Sequence, residues 1–187
     1  MKKTKKQYDN MIKAHIDKKD FVKIKRTVTE GESNISGFIL QMSKDFLLIQ
    51  QEEDFLLNGY CIIRKDHFDA IRCNKFDKAF KRILKAEGVF NSNYGIKDKV
   101  RLNDRQTIFN DLKKHDYQVI VECEDLKEPL FIIGPIQKVN TNSVSIQYFD
   151  ATGLLDKKPT KVQFKDITLV KFDCRYINVF RKYLRTK

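Results

Sequence analysis

Apolar and polar residues alternate along two similar stretches of the chain, which begin at Gly37 and Gly134. In each stretch a glycine opens an apolar strand, a short polar turn follows, and a second apolar strand ends in Ile-Gln. Alternation with a period of two residues is typical of a strand that buries one face. The pattern therefore predicts two matching strand pairs, at residues 37–50 and 134–147.

The similarity extends beyond these strands in both directions. Upstream, Val22 aligns with Val119 at the same offset of 97 residues, and downstream Asp66 aligns with Asp166 at an offset of 100. One gap of three residues between the third and fourth strands reconciles the two offsets. Self-similarity at a fixed spacing indicates a repeat, so we interpret the chain as one unit of roughly eighty residues written twice.

Each copy is predicted to contain a helix, five short strands and a second helix. The helices are indicated by apolar side chains on one face, and at Asn74 also by an N-cap residue. The predicted helices cover residues 9–18, 74–88, 104–114 and 175–184. The predicted strands cover residues 21–28, two segments within 37–50, 60–64 and 68–73 in the first copy, and 117–124, 130–139, 143–149, 160–164 and 167–172 in the second. Residues 29–34 are expected to form a loop.

Five short strands of alternating polarity leave an apolar face in water unless they curl into a barrel or another element covers that face. We therefore predict a mainly β (α+β) chain of two tandem five-stranded small barrels, each preceded and followed by a helix. The expected division is a first barrel at residues 1–88, a linker at 89–103 and a second barrel at 104–187.

The order of a glycine, an apolar strand, a polar turn, a second apolar strand and a strand that ends in Ile63-Arg64 resembles the Sm-like family of small SH3-like barrels. The resemblance implies RNA binding through two short elements. One is Asp-x-Met-Asn in the turn between strands two and three, and the other is Ile-Arg-Gly-Asp/Asn after strand four. It also implies that barrel edges can pair with another chain, because Sm-like barrels form rings in this way.

The residues at the two elements depart from the family pattern. The first element reads Lys44-Asp45-Phe46-Leu47 and Thr141-Asn142-Ser143-Val144, so the asparagine that recognises a base is missing from both copies. The second element reads Ile63-Arg64-Lys65-Asp66, with lysine in place of glycine, and Gln163-Phe164-Lys165-Asp166, which keeps only the acid. We therefore expect any nucleic-acid binding to show little base preference.

Positive charge is concentrated at the two ends of the chain. Residues 1–30 carry a net charge of +6 and residues 157–187 carry +8, whereas the remainder carries −2, within a total of +12. Because chain termini often lie close together, the two ends are expected to form one positive face. Such a face suits RNA or another polyanion, although lysine-rich surfaces also occur for solubility alone.

Nine basic residues are the candidates for contacts with nucleic acid. They are Lys157, Lys158, Lys161, Arg175, Arg181, Lys182, Arg185, Arg64 and Lys65. Bases are also expected to stack on an exposed aromatic residue, and Tyr94 and Tyr148 are the candidates.

Residue types with catalytic or metal-binding chemistry are scattered along the chain. The four cysteines form no Cys-x-x-Cys pair, the three histidines have no ligand spacing, and the glycines form no phosphate-binding loop. We therefore predict no enzyme activity, no cofactor and no metal site. No apolar run approaches the roughly 18 residues of a membrane span, and no apolar signal core follows the basic start, so a cytoplasmic location without membrane association is expected.

Two functional hypotheses of different classes remain open. The first is a non-enzymatic module that binds RNA or other nucleic acid with low specificity through a basic face. The second is a protein-interaction or assembly unit whose open barrel edges pair with another chain, giving a homo-oligomer with no role in nucleic-acid binding.

Overall fold

Ten antiparallel strands form one sheet in this computed structural model, which describes residues 5–28 and 31–186. The strands are β1 (Phe21–Val28), β2 (Gly31–Met42), β3 (Phe46–Glu53), β4 (Leu56–Arg64), β5 (Ala70–Arg72), β6 (Gln118–Cys123), β7 (Leu130–Val139), β8 (Ser143–Ile146), β9 (Thr160–Gln163) and β10 (Leu169–Phe172). The helices are α1 (Lys5–Asp17), α2 (Lys75–Ala86), α3 (Val89–Asn93), α4 (Arg105–Lys114) and α5 (Arg175–Phe180). A 3-10 turn at Phe164–Asp166 follows β9, and another at Arg181–Tyr183 follows α5.

The hydrogen-bonding order of the strands is β5-β1-β2-β3-β4-β10-β6-β7-β8-β9. Five consecutive positions come from each half of the chain, and the pairing of β4 with β10 joins them. Tyr60 lies opposite Phe172 and Ile63 opposite Leu169 in this junction. The prediction of a mainly β chain is confirmed, whereas the junction that makes one open sheet of the two halves was not predicted.

The two halves share an unusual close approach of backbone at a glycine. Gly37 and Gly134 have φ values of +152° and +150°, and each lies opposite a valine of the preceding strand. A Cβ atom would lie 2.0 Å from the Gln50 carbonyl oxygen at Gly37 and 1.9 Å from the Gln147 carbonyl oxygen at Gly134. Only glycine fits such an approach, so these two residues let β2 and β7 bend against the following strand.

The pairing of the third strand with the fourth in each half gives the sequence offset between the two fourth strands. The pairs are Leu47–Ile63 in the first half and Val144–Val162 in the second. The offset here is 99 residues, one less than the sequence comparison predicts. Lys65 therefore matches Phe164 in position, and its alignment with Lys165 is wrong by one residue.

The largest apolar cluster crosses the junction between the halves. The first half contributes Phe46 and Ile62 to it, and the second half contributes Phe109 and Phe172. Burial of apolar side chains from both halves stabilises the shared sheet, because each removes apolar surface from water. The two halves thus share a core as well as a sheet.

The segment at 89–103, predicted to be a linker of little regular structure, begins with helix α3 and packs onto the sheet. Val100 and Leu102 are buried in it, and the Tyr60 hydroxyl donates a hydrogen bond of 2.7 Å to the Gly95 carbonyl. The loop predicted at 29–34 is also shorter than expected. Gly31–Met42 form β2, and residues 29 and 30 lie outside the described part of the chain.

A buried ion pair also links the two halves. Arg26 of β1 is fully buried, and its guanidinium pairs with the Glu124 carboxylate, which follows β6. The Thr168 hydroxyl donates a hydrogen bond of 2.5 Å to the same carboxylate. The Arg26 Nε atom has no hydrogen-bond partner among the described residues. Arg26 therefore depends on Glu124 for compensation of its charge.

None of the helices in the described ranges combines the length and the apolar character that a membrane span requires.

The close approach at Gly37 predicts a large effect of one added methyl group. The substitution Gly37→Ala should lower the free energy of unfolding by about 3 kcal/mol or more, because the new Cβ meets the Gln50 carbonyl at a strained φ. Gly31→Ala is the matched control, since Gly31 has a φ of +132° and open space around it. We expect a smaller loss for the control in urea unfolding, and equal losses would contradict the steric explanation.

The buried ion pair predicts a second effect on stability. Glu124→Ala leaves the Arg26 charge buried without a partner, so the free energy of unfolding should fall by about 3–5 kcal/mol. The control Glu128→Ala removes an exposed carboxylate of the same loop and should change it by less than about 0.5 kcal/mol. Chemical unfolding of both variants measures the difference, and a neutral Glu124→Ala would show that Arg26 finds another partner.

Candidate nucleic-acid interface

A cavity of about 640 Å³ opens where α1, two strand turns and the start of α4 meet. We call it the turn cavity. Its lining residues are Tyr8, Asp9, Lys44, Asp45, Phe46, Arg64, Lys65, Asp66, Phe68, Asn103, Asp104 and Arg105. The two turns are the positions of both short elements through which the family resemblance implies RNA binding. The fold thus brings together two elements that are about twenty residues apart in the sequence.

Backbone hydrogen bonds hold the two turns against each other. The Ser43 hydroxyl accepts from the Phe46 N–H at 3.0 Å, which tightens the turn between β2 and β3. The Lys65 N–H then donates to the Asp45 carbonyl at 2.8 Å. In the second half the Phe164 N–H makes the equivalent bond to the Asn142 carbonyl, at 2.9 Å. The contact between the turns is therefore a property of the backbone in both halves.

Lys65 and Arg64 are two of the nine basic candidates, and both already have carboxylate partners. The Lys65 ammonium lies 2.5 Å from an Asp9 oxygen, and its side chain is only 9% exposed. The Arg64 guanidinium pairs with Asp66. Burial alone would raise the pKa of Asp66, but the hydrogen bond from Arg64 holds that pKa below its usual range. Lys65 and Arg64 therefore line the cavity, but their positive charges are compensated by Asp9 and Asp66.

Arg105 supplies an unpaired positive charge at the wall of the turn cavity, and the sequence analysis did not identify it. Its guanidinium lies 5.8 Å from the centre of the Phe46 ring. Among the described residues it makes no ion pair or hydrogen bond. Burial, and then the neighbouring Arg64, lower the pKa of Arg105 to about 10, so it stays protonated at neutral pH. An unpaired guanidinium stacked on an aromatic ring is well suited to bind an anion.

Aromatic side chains form the rest of the apolar wall. Tyr8 and Phe68 meet edge to face with ring centres 6.1 Å apart, and Phe46 is buried beneath Arg105. The Asp104 carboxylate caps α4 by accepting a hydrogen bond of 2.7 Å from the Thr107 N–H. This bond offsets part of the repulsion between Asp104 and a bound anion. The cavity therefore offers flat apolar surfaces beside the Arg105 guanidinium, and its lining also includes the exposed side chains of Lys44 and Asp45.

The other seven basic candidates are all exposed in the second half. They are Lys157, Lys158 and Lys161 at and before β9, Arg175 at the start of α5, and Arg181, Lys182 and Arg185 after it. Arg181 is paired with Asp116, and Arg185 contacts the Thr152 hydroxyl at 3.3 Å. We call these seven residues the C-terminal basic group.

The structure separates the nine candidates into two groups. Arg64 ends β4 at the turn cavity, whereas Arg175 donates its N–H at 2.7 Å to Asn58, near the other end of that strand. Six residues of a strand span about 20 Å, so the C-terminal basic group begins far from the cavity. Residues 1–4 of the basic N-terminal end lie outside the described part of the chain. The nine candidates therefore do not form one group around the turn cavity.

Two exposed tyrosines lie on α5 and on the 3-10 turn that follows it, and not at the predicted positions. Tyr176 is 52% exposed and Tyr183 is 68% exposed, both beside residues of the C-terminal basic group. Tyr94, predicted to stack a base, instead packs against Phe38 with ring centres 5.4 Å apart and is half-buried, and Tyr148 is also half-buried. Both tyrosines lie on the apolar face of the helix predicted at residues 175–184, because their spacing is that of buried positions.

Comparisons of the chain with protein-family models, with curated proteins and with solved structures find no match, so its function is inferred from the geometry alone.

Proposed function

We propose that the protein is a non-enzymatic module that binds single-stranded nucleic acid, most naturally RNA, and that the turn cavity holds one nucleotide. The observation that carries this proposal is the unpaired Arg105 guanidinium on the Phe46 ring, at the wall of a cavity of about 640 Å³. That volume lies within the roughly 300–1,000 Å³ of typical small-ligand sites.

The chemistry of the wall matches the two parts of a nucleotide. A guanidinium donates paired hydrogen bonds to phosphate oxygens, and Arg105 has its donors available for such a contact. The rings of Tyr8 and Phe68 offer apolar surface to a base, which binds proteins strongly by stacking. Both parts of the ligand thus find a partner within one cavity.

Low sequence preference follows from the same residues. The base-recognising asparagine of the Sm-like pattern is missing from the turns, and Arg64 and Lys65 are occupied by Asp66 and Asp9. The C-terminal basic group, with Tyr176 and Tyr183, adds a second surface for the phosphate backbone. Contacts to phosphates carry no sequence information, so binding should depend on strand character more than on base identity.

We further propose that each half is one Sm-like barrel unit, at residues 1–88 and 104–187, with 89–103 as the connection. Support comes from the equivalent glycines Gly37 and Gly134 and from a register shift at the same place in both halves. It lies between Ile39 and Gln41 in the first half and between Ile136 and Lys138 in the second.

Fluorescence anisotropy with a labelled single-stranded RNA tests the nucleic-acid proposal. We expect Arg105→Gln to weaken binding and to reduce the slope of log K against log salt by about 0.7, the value for one phosphate contact on a single strand. Lys138→Gln is the matched control, because Lys138 is exposed and does not line the turn cavity. Its affinity should stay close to that of the unmodified chain.

A second variant tests the contribution of the C-terminal basic group. It replaces six of the seven residues with glutamine, namely Lys157, Lys158, Lys161, Arg181, Lys182 and Arg185. Both the affinity and the salt slope should fall if this group holds the backbone. Absence of RNA and DNA binding at low salt, or binding that neither variant changes, would reject the nucleic-acid proposal and favour the assembly function.

The assembly function is a second candidate because of the junction between β4 and β10. Each half contributes five neighbouring strands to the sheet. The first of the five is β5 in the first half and β10 in the second, and the last is β4 in the first half and β9 in the second. The same pairing would join β9 of one copy to β5 of the next, which is a head-to-tail contact. The edges are short, since β5 has three residues and β9 has four with Lys161 among them, and such features discourage edge pairing.

Analytical ultracentrifugation of a concentration series tests the assembly function. The Phe164 N–H donates to the Asn142 carbonyl, directly before β8, so the antiparallel alternation leaves the Lys161 N–H pointing to the open edge. Lys161→Pro should therefore dissociate an assembly without breaking the β8–β9 ladder, and Lys161→Gln controls for the lost charge. A monomer at every concentration would exclude this candidate.

A further inference from the structure

We propose that His15, Asp20 and Cys73 bind a divalent transition metal ion of the zinc type, with one coordination position left open to solvent. One donor atom from each residue lies within 4.8 Å of the other two. The His15 Nδ1 and Asp20 Oδ2 atoms are 3.1 Å apart. This site is independent of the proposed nucleic-acid function.

The local backbone holds the three donors together. Lys19 has a φ of 50°, the Asp20 N–H donates to the His15 carbonyl at 2.9 Å, and the Lys19 N–H donates to the Ile16 carbonyl at 2.9 Å. These two bonds form the Schellman motif that ends α1, so His15 and Asp20 are fixed side by side. Cys73 follows β5, whose antiparallel pairing with β1 brings it back to the start of β1.

The donor set suits zinc, and so does the spacing of its nitrogen and oxygen atoms. Imidazole nitrogen, thiolate sulfur and carboxylate oxygen are the ligand types that zinc prefers, and three protein ligands plus a water are typical of its open sites. With bonds of about 2.0–2.2 Å in tetrahedral geometry, a nitrogen and an oxygen ligand lie about 3.3 Å apart. The observed 3.1 Å is close to that spacing. The His15 and Asp20 side chains are 17% and 20% exposed, which leaves a path for the ion.

The second half provides an internal comparison. There the same motif ends α4, with the Tyr117 N–H donating to the Leu112 carbonyl at 2.9 Å. The positions equivalent to His15, Asp20 and Cys73 hold Leu112, Tyr117 and Phe172. Tyr117 and Phe172 pack with ring centres 5.1 Å apart. Because the same backbone forms around apolar side chains, the turn itself does not require a nitrogen, an oxygen and a sulfur donor.

One neighbouring cation opposes the metal. The Lys81 ammonium lies 3.4 Å from an Asp20 oxygen and donates to the Lys18 carbonyl at 2.7 Å. Binding of the metal by Cys73 as a thiolate requires loss of the thiol proton. A bound dication would repel Lys81, and this repulsion gives the proposal a specific test.

Titration of the full chain with Co²⁺ after treatment with a chelator tests the site. Thiolate coordination should produce a near-ultraviolet charge-transfer band, and added Zn²⁺ should remove it. Cys73→Ser should abolish the band, whereas the matched control Cys174→Ser should keep it. Loss of a residue that only hydrogen-bonds a metal ligand costs 10–100-fold in metal affinity. His15 is proposed as a direct ligand, so His15→Ala should weaken Co²⁺ binding by at least about 100-fold.

A second variant keeps the test informative should Cys73→Ser fold poorly. Lys81→Met removes the opposing charge and should tighten Co²⁺ binding by roughly tenfold, the effect of about 1.4 kcal/mol. If the Asp20–Lys81 ion pair only stabilises the fold, Lys81→Met should not increase the Co²⁺ affinity. The proposal is overturned by absence of the band, by its survival in Cys73→Ser, or by unchanged Co²⁺ affinity in Lys81→Met.

Discussion

The antiparallel pairing of β4 with β10 is the contact on which the rest of the structure depends. It makes one sheet of two sets of five strands and lets Phe46 and Phe172 share a core. It also fixes where the second half lies, because β10 pairs on its other side with β6, which follows α4. The start of α4 is thereby placed over the turn cavity, and Arg105 meets Phe46. The candidate site is thus built across the two halves and would be lost if they separated.

Local sequence patterns predicted the helices and strands well, but they did not predict which strands pair across the two halves. The limits of β1 and β7 match the alternation of apolar residues, and Asn74 caps α2 as its side chain suggests, with Asp77 completing a capping box. Strand pairing uses backbone groups that every residue carries, so no side-chain pattern marks β4 and β10 as partners. Phe76, which lies on the apolar face of the helix predicted at residues 74–88, is 67% exposed, and of that face only Leu84 is fully buried.

The candidate site shows the same division between local and long-range information. The sequence identified Arg64 and Lys65 as basic residues at a turn, and the structure places both at the turn cavity. It could not show that Lys65 is neutralised by Asp9, which lies 56 residues away, or that Arg105 has no carboxylate partner among the described residues. The charge of a side chain can be read from the sequence, whereas its compensation depends on tertiary contacts. Free charge, and not total charge, decides where an anion binds.

The matched positions of the two halves carry different side chains on a similar backbone. Where the first half has Lys65 at the turn cavity, the second half has Phe164, which stacks on Phe109 with ring centres 5.5 Å apart. Where the first half has the donors His15, Asp20 and Cys73, the second half has apolar side chains. In both places the backbone is the same and the side chains of the second half add to the core. Burying a polar group is costly unless the group is paired. The polar side chains of the first half meet this condition, since Lys65 pairs with Asp9, and Asp20 pairs with His15 and Lys81.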